Sequence, residues 1–373
     1  MLLADASTIQ GALRRTTADF DVVIASVATA VPPHKVSQAI VAEGAMRVFP
    51  HLSGLAGLFA NTGIETRYVC ETPDWYLEDR GWEERTVSFQ RHALVLLEEV
   101  ALKAVEAAGI KFRDIGAIVV NTITGLAVPS LEARLLNRFP FSRQVERLPI
   151  FGLGCGGGVA GLARATRIAQ TLHGGHVLFL TVDLCSLCAR SNDMSVANFV
   201  AIALFGDGAA GVVLRNTRGI RRSDQLDRGS IVAIGEHCWP DTEHIMGWDI
   251  KQNGFGVVLS PELPSLMRQE LRPALHEFLV RNHLDVDQFE GFLLHPGGRR
   301  VLDTAQDILG LTKNDLRHSW DVLRRYGNMS SVTALFVLEN AIGSDANGLH
   351  LLAAFGPGFS AYFMAVDLRQ SAR

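Results

Sequence analysis

A cysteine, a histidine and an asparagine in distant parts of this chain stand in settings that suit nucleophilic catalysis. In FGLGCGGGVAG (151–161), Cys155 lies among six glycines, just ahead of LARATRIAQTL, which reads as a helix. A helix start exposes unpaired N–H groups and about half a positive charge, so a thiol placed there ionises readily, with pKa values of about 3.5–7.5 in reactive cases. Glycines at 154, 156, 157 and 158 allow a sharp turn and leave room for a substrate to approach the sulfur. Cys155 is therefore the candidate nucleophile. His295 closes an apolar run in FLLHPGG (292–298), and a His at a strand's carboxyl end faces a cleft in many α/β sheets. Asn328, in YGNMSS (326–331), is an amide donor suited to an oxyanion. Each also has an ordinary structural reading: an inert buried thiol, a loop histidine, and a helix cap shared with Ser330 and Ser331. Together they form a constellation.

Alternating strands and helices must position these groups. DVVIASVATAV (21–31), IGAIVVNTIT (115–124) and HVLFLTVDL (176–184) are apolar runs of the kind buried on both sheet faces, and HALVLLEEVALKAVEAAG (92–109) is an amphipathic helix ending at Gly109. The fold class is α/β, with a mostly parallel or mixed sheet flanked by helices. The plan occurs twice. The helix, turn, Asp and strand of HALVLLEEVALKAVEAAGIKFRDIGAIVVNTIT recur in MRQELRPALHEFLVRNHLDVDQFEGFLLHPGG, and residues 151–180 parallel 326–355. In that register Cys155 and Asn328 occupy nearly corresponding places at helix starts. If the halves pack about a pseudo-twofold axis, both starts point at one cavity.

Composition narrows the function. The 373 residues, 48% hydrophobic, are ample for two halves with substantial cores, and a net charge of -4 without a basic stripe argues against nucleic acid. No apolar run reaches the ~18 residues of a membrane span, and the N-terminus lacks the layout of a secretory signal, so a cytoplasmic location is expected. The five cysteines are too few and scattered for a disulfide framework. Cys185 and Cys188 form a CxxC without a second pair or a His cluster, a poor zinc site, and read better as small residues filling space at a strand end.

The motifs GCGGGVAGLARA, ALFGDGAAGVVL (203–214), LLHPGG, YGNMSS and FGPG (355–358) occur in the order and spacing of a known family. The sequence resembles the type III polyketide synthases, the chalcone synthase-like enzymes of the thiolase superfamily. The resemblance implies a thiolase-like duplicated αβαβα layered fold. Residues 1–220 would form the half carrying the nucleophilic Cys155, and residues 221–373 the half carrying His295 and Asn328. It further implies that Cys155 holds the starter acyl group and the growing chain, that His295 pairs with the Cys155 thiolate, and that His295 and Asn328 bind the malonyl-CoA carbonyl. The implied substrates are malonyl-CoA and an acyl thioester, with no metal or redox cofactor. The implied assembly is a homodimer. β-Ketoacyl-carrier-protein synthase III shares the Cys, His and Asn set, so a single-condensation enzyme is the alternative. A thiolase-like scaffold that only binds acyl groups or a partner is the non-enzymatic one.

The resemblance also assigns a pocket. Phe205 matches the first of two gating phenylalanines, while the second position falls on Val257, with Phe255 two residues earlier on the same strand face. Ile123, Val128, Cys188 and Ser330 occupy the remaining pocket positions. Their small or apolar character, with DLCSLCAR and MGWDI (246–250), is similar to bacterial alkylresorcinol and alkylpyrone synthases. A tunnel behind Cys188 and Val128 is expected to house a long fatty acyl chain. The basic positions that hold the CoA phosphates in plant relatives fall on Gly54, Gly57 and Asn61, leaving Arg67 as the nearby cation. The starter is thus expected on CoA held by other residues, or on an acyl carrier protein.

Overall fold

A computed structural model describes residues 20–218, 227–252, 254–344 and 346–369. The strands are β1 (Val22–Ala30), β2 (His34–Ser37), β3 (Thr66–Val69), β4 (Ile115–Thr122), β5 (Glu146–Phe151), β6 (His176–Leu184), β7 (Asp207–Asn216), β8 (Gly229–Cys238), β9 (Met246–Lys251), β10 (Gly254–Leu259), β11 (Gly291–Leu294), β12 (Gly348–Gly356) and β13 (Ser360–Leu368). Nine form one sheet in the order β11-β12-β13-β8-β1-β7-β6-β4-β5, and β2/β3 and β9/β10 form two-stranded ribbons.

That order contains the duplication. Outward from the centre, β1-β7-β6-β4 and β8-β13-β12-β11 both run antiparallel, antiparallel, parallel. β1 and β8 meet at the centre through Val23↔Ser230 and Ile24↔Gly229. β5 extends the first half only, parallel to β4.

Side-chain alternation along these strands builds the layers. On β6, Val177 and Phe179 pack against the helices Gly157–Thr171 and Thr333–Gly343, while Leu178, Leu180 and Val182 face the helix Trp82–Ala107. On the second half, Phe363 and Ala365 of β13 face the helix Leu263–Arg281, and Met364 and Val366 face the central helices. The result is helix, sheet, paired central helices, sheet, helix, as expected of the thiolase-like fold. The first central helix follows β5 and the second follows the helix Arg317–Tyr326, and each starts on a 3-10 turn: Gly154–Gly156 before Gly157, and Ser330–Val332 before Thr333.

Two expectations shift. The helix expected over 92–109 starts ten residues earlier, at Trp82, with Gly81 as its N-cap and Glu83 and Glu84 in its first turn. Its early polar residues are buried with partners: Arg85 Nη1 donates to the carbonyls of Leu187 and Ala189, and Ser88 Oγ to Glu71. Apolar periodicity is blind to such pairs. The equal spacing of turn and helix also sets the repeat register, so that Gly154 corresponds to Ser330 and Cys155 to Ser331, with Asn328 two residues before its turn. The boundary expected between residues 220 and 221 lies outside the described residues.

Candidate active site

The glycines around Cys155 answer to packing more than to substrate access. A Cβ on Gly158 would lie 2.1 Å from the Ser331 carbonyl oxygen, and one on Gly156 2.3 Å from the Tyr362 ring. At Gly157 it would meet the Asn121 carboxamide at 2.6 Å. The two central helix starts therefore touch backbone to backbone, which brings Cys155 of one half against the Asn328 loop of the other. Gly154 has φ 49°, and its Cβ would fall 2.4 Å from Pro357. A buried carboxylate locks the junction. Asp183 accepts from Ser331 N (3.0 Å) and Oγ (2.5 Å) and from Ile123 N (2.8 Å), tying the second half's helix start to the end of β4.

His295 follows β11, its N–H donating to the Ala353 carbonyl of β12 at 2.8 Å. It is 5% exposed, and neither ring nitrogen has a hydrogen-bond partner. A buried imidazole with both nitrogens unsatisfied is costly unless something else engages it, which marks this ring as functional. Asn328 is held on four sides. Its N–H donates to the Leu204 carbonyl and its carbonyl accepts from Gly206 N, both at 2.9 Å. Its Oδ1 accepts from Ser330 N (2.8 Å), which fixes the amide so that Nδ2 donates to the Gly297 carbonyl (3.1 Å). Gly327 before it has φ 69°, and a side chain there would strike the Leu204 carbonyl.

These groups share a cavity of about 90 Å3 lined by Cys155, His295 and Asn328, with Ile123, Phe205, Trp248, Val257 and Ser330 on its wall. Cys155 is half-buried and opens into it. A second, larger cavity of about 220 Å3 adjoins, lined by Val36, Val41, Phe49, Leu77, Cys188 and Ala201 among others. Phe205 and Val257 line both, so they form the partition.

Three expected placements are corrected. Val128 does not line either cavity of this chain: it is 95% exposed, in a surface segment whose Val128–Pro129 bond is cis. Phe255 lies outside the catalytic cavity, packed among the rings of Trp82, Phe151 and Trp248 at 5.5–6.4 Å, because those aromatics give a ring at this position more contact than the cavity does. Arg67 is 1% exposed, and its guanidinium donates to the carbonyls of Ile202, Ala203 and Phe205 (2.7–2.8 Å) and to Gln38. It closes the last turn of the helix Val196–Leu204 and is no entrance cation. Cys188 lines the larger cavity rather than the catalytic one. Gly54, Gly57 and Asn61 are exposed at the surface.

Residues 10–217 match the N-terminal domain family of chalcone and stilbene synthases, and residues 231–367 match its C-terminal domain family. The chain belongs to this family, the type III polyketide synthases. Its relatives include a 1,3,6,8-tetrahydroxynaphthalene synthase of Streptomyces peucetius subsp. caesius, 37% identical over 94% of each chain. The alpha-pyrone synthesis polyketide synthase-like Pks18 of Mycobacterium tuberculosis is 26% identical over 93% of this chain and 91% of that protein. The crystal structure of the tetrahydroxynaphthalene synthase of Streptomyces coelicolor A3(2), a bacterial type III polyketide synthase, superposes with TM-score 0.87 at 30% identity, covering 94% of this chain and all of that one. The protein is thus an acyltransferase of the decarboxylating Claisen type.

In this type III polyketide synthase the electrostatics of the site differ from the expected low-pKa thiol. Burial pushes the Cys155 thiol up to about 11, against the pull of Ser330 and Asn328, and the Asp183 charge adds to the rise. Burial alone lowers His295 to about 4. The regular helix begins only at Gly157, after a 3-10 turn, while the sulfur sits against a mostly apolar wall. Burial thus disfavours the charged form of either group taken alone.

Trp248 was not singled out by sequence. It sits on β9 directly across from Val257 of β10, with its ring 6.2 Å from that of Phe205. MGWDI held the signal in its bulky aromatic, but only the ribbon's register aims that ring into the cavity. No helix among the described residues is long and apolar enough to cross a membrane, and no cluster of His, Cys, Asp or Glu there could hold a metal ion.

Proposed function

We propose that this enzyme extends a long-chain fatty acyl starter, delivered as a CoA or acyl-carrier-protein thioester, with a few units from malonyl-CoA. It then closes the product to an alkylpyrone or alkylresorcinol, working as a cytoplasmic homodimer without a metal or redox cofactor. The observation that carries this reading is the mostly apolar cavity of about 220 Å3 beside the catalytic one, whose lining also includes Glu43, Arg47, Asp74 and Arg190. A chain threaded past Phe205 and Val257 would lie among Val36, Val41, Phe49, Leu77, Cys188 and Ala201, with its thioester at Cys155. Each buried methylene adds about 0.8 kcal/mol, so such a chamber selects length. The relative named for alpha-pyrone synthesis supports the product class.

The residues take these roles. His295 accepts the Cys155 proton as the sulfur attacks the starter thioester and the carrier thiolate leaves. The imidazolium and thiolate offset burial penalties that each would suffer alone. His295 and the Asn328 amide then donate to the malonyl thioester oxygen. Loss of CO2 leaves an enolate whose negative oxygen these donors stabilise. The enolate carbon attacks the Cys155 thioester, the C–S bond breaks, and the electron pair returns to sulfur. Transfer of the extended chain back to Cys155 starts the next round.

The test is mass spectrometry of products from a panel of acyl-CoA starters with labelled malonyl-CoA. Several incorporated units on long chains support the proposal, whereas one unit and a released β-ketoacyl chain indicate the single-condensation alternative. Product formed undiminished by C155A would refute the nucleophile assignment.

A further inference from the structure

A glycine stands inside the helix Gln38–Val48 without a backbone reason for it. Gly44 is the seventh of the eleven residues and has ordinary helical backbone, where glycine is less favourable than any residue except proline. Close packing does not demand it either. A Cβ on Gly44 would meet only Leu77 Cδ2, at 3.6 Å, an ordinary contact, whereas one on Gly156, Gly157 or Gly158 would clash at 2.1–2.6 Å.

What Gly44 borders is space. It lines the larger cavity, and so does Leu77, across from it on the 3-10 turn Pro73–Leu77. The lining of that cavity passes from the partition at Phe205 and Val257, by way of buried Cys188 and Ala201, to this helix and turn. There it reaches the surface. Ile40 is 50% exposed, and Glu43, Arg47 and Asp74 are exposed, while Gly44 and Leu77 are half-buried. The cavity thus has an inner end at the catalytic site and an outer end in water.

We propose that Gly44 is a specificity-determining residue: the side chain it lacks leaves a passage beside Leu77 through which the far end of a long starter passes into solvent. This rests on the reading that the starter lies in the larger cavity. Methylenes inside the cavity are removed from water and those beyond Gly44 are not, so the gain per methylene stops at the passage. Preference therefore rises with chain length to a plateau instead of falling where the enclosed space ends. Glu43, Arg47 and Asp74 keep the opening hydrated, so a polar group on the chain's far end stays in water and carries no burial penalty.

The test sets octadecanoyl-CoA against hexanoyl-CoA in competition for the full chain with labelled malonyl-CoA, and product masses give the ratio of kcat/KM. In G44F the ring fills the gap to Leu77, and the long-to-short ratio falls at least roughly fifteenfold, the effect of about two excluded methylenes. G44A narrows the gap without closing it and gives a ratio between those of wild type and G44F. It melts no lower than wild type, because alanine suits a helix better than glycine. Wild type also extends octadecanoyl-CoA that carries a biotin amide on its last carbon, since that end lies outside. C188F, further in, separates the two readings. If C188F lowers the ratio and G44F does not, the passage is refuted while the placement of the chain stands; if neither does, both fall. Rejection of the biotin-bearing starter by wild type overturns the passage whether or not G44F folds.

Discussion

If the larger cavity houses the starter chain as proposed, filling it at Cys188 should shift the preference from long to short starters. Cys188 is 3% exposed and forms part of the wall of the 220 Å3 space, its Sγ 3.9 Å from the Thr124 carbonyl oxygen. It does not line the catalytic cavity, so C188F leaves the Cys155, His295 and Asn328 arrangement in place. A phenyl ring occupying the room of about four chain methylenes removes ~0.8 kcal/mol for each, about 3 kcal/mol in all. That is roughly a hundredfold in kcat/KM. The loss should fall on dodecanoyl-CoA and spare hexanoyl-CoA, because the shorter chain ends before the obstruction. Competition between the two starters, read by product mass, gives the ratio directly and cancels differences in active fraction. An unchanged preference would refute the placement of the chain. An equal loss for both starters would mean that the ring disturbs the partition instead.

Other outcomes follow from the same geometry. G158A forces a methyl against the Ser331 carbonyl oxygen of the opposing helix start. It should cost roughly 1–3 kcal/mol and most of the activity, since the strain falls between Cys155 and Asn328. A melting temperature within a degree of wild type would contradict the backbone contact. Asp207, which accepts from Cys70 N, Ser186 N and Ser186 Oγ, has its carboxyl pushed up to about 6 by burial. Its folded pKa exceeds the unfolded value of about 3.9, so its contribution is full at low pH and is lost as pH rises through about 6. Wild type should therefore lose stability relative to D207N between pH 4 and 7 in urea titrations, and a constant difference would exclude the effect.

The doubled plan was legible because apolar periodicity and glycine punctuation are local properties. The parallels between 92–124 and 267–298, and between 151–180 and 326–355, became the two halves of the nine-stranded sheet. Cys155, His295 and Asn328 stood out because each sits where an element ends, and element ends leave a mark in sequence. Phe205 was found by motif. Phe255 misled, since strand alternation tells which residues share a face and not what that face meets. Val128 is exposed on the single chain, in a loop whose course distant contacts set. Arg67 read as a surface cation because nothing local reveals the three carbonyls waiting for it at a helix end.

By itself the sequence determined the layered α/β plan, its repetition and the three residue types at element ends, all fixed by short-range pattern. Tertiary structure alone decided that the GCGGG and YGNMSS turns press together backbone to backbone, that Phe205 and Val257 separate two cavities, and that burial disfavours charge on the thiol and on the imidazole. Close approach, enclosed volume and burial depend on where remote segments come to lie, and no stretch of chain encodes them alone.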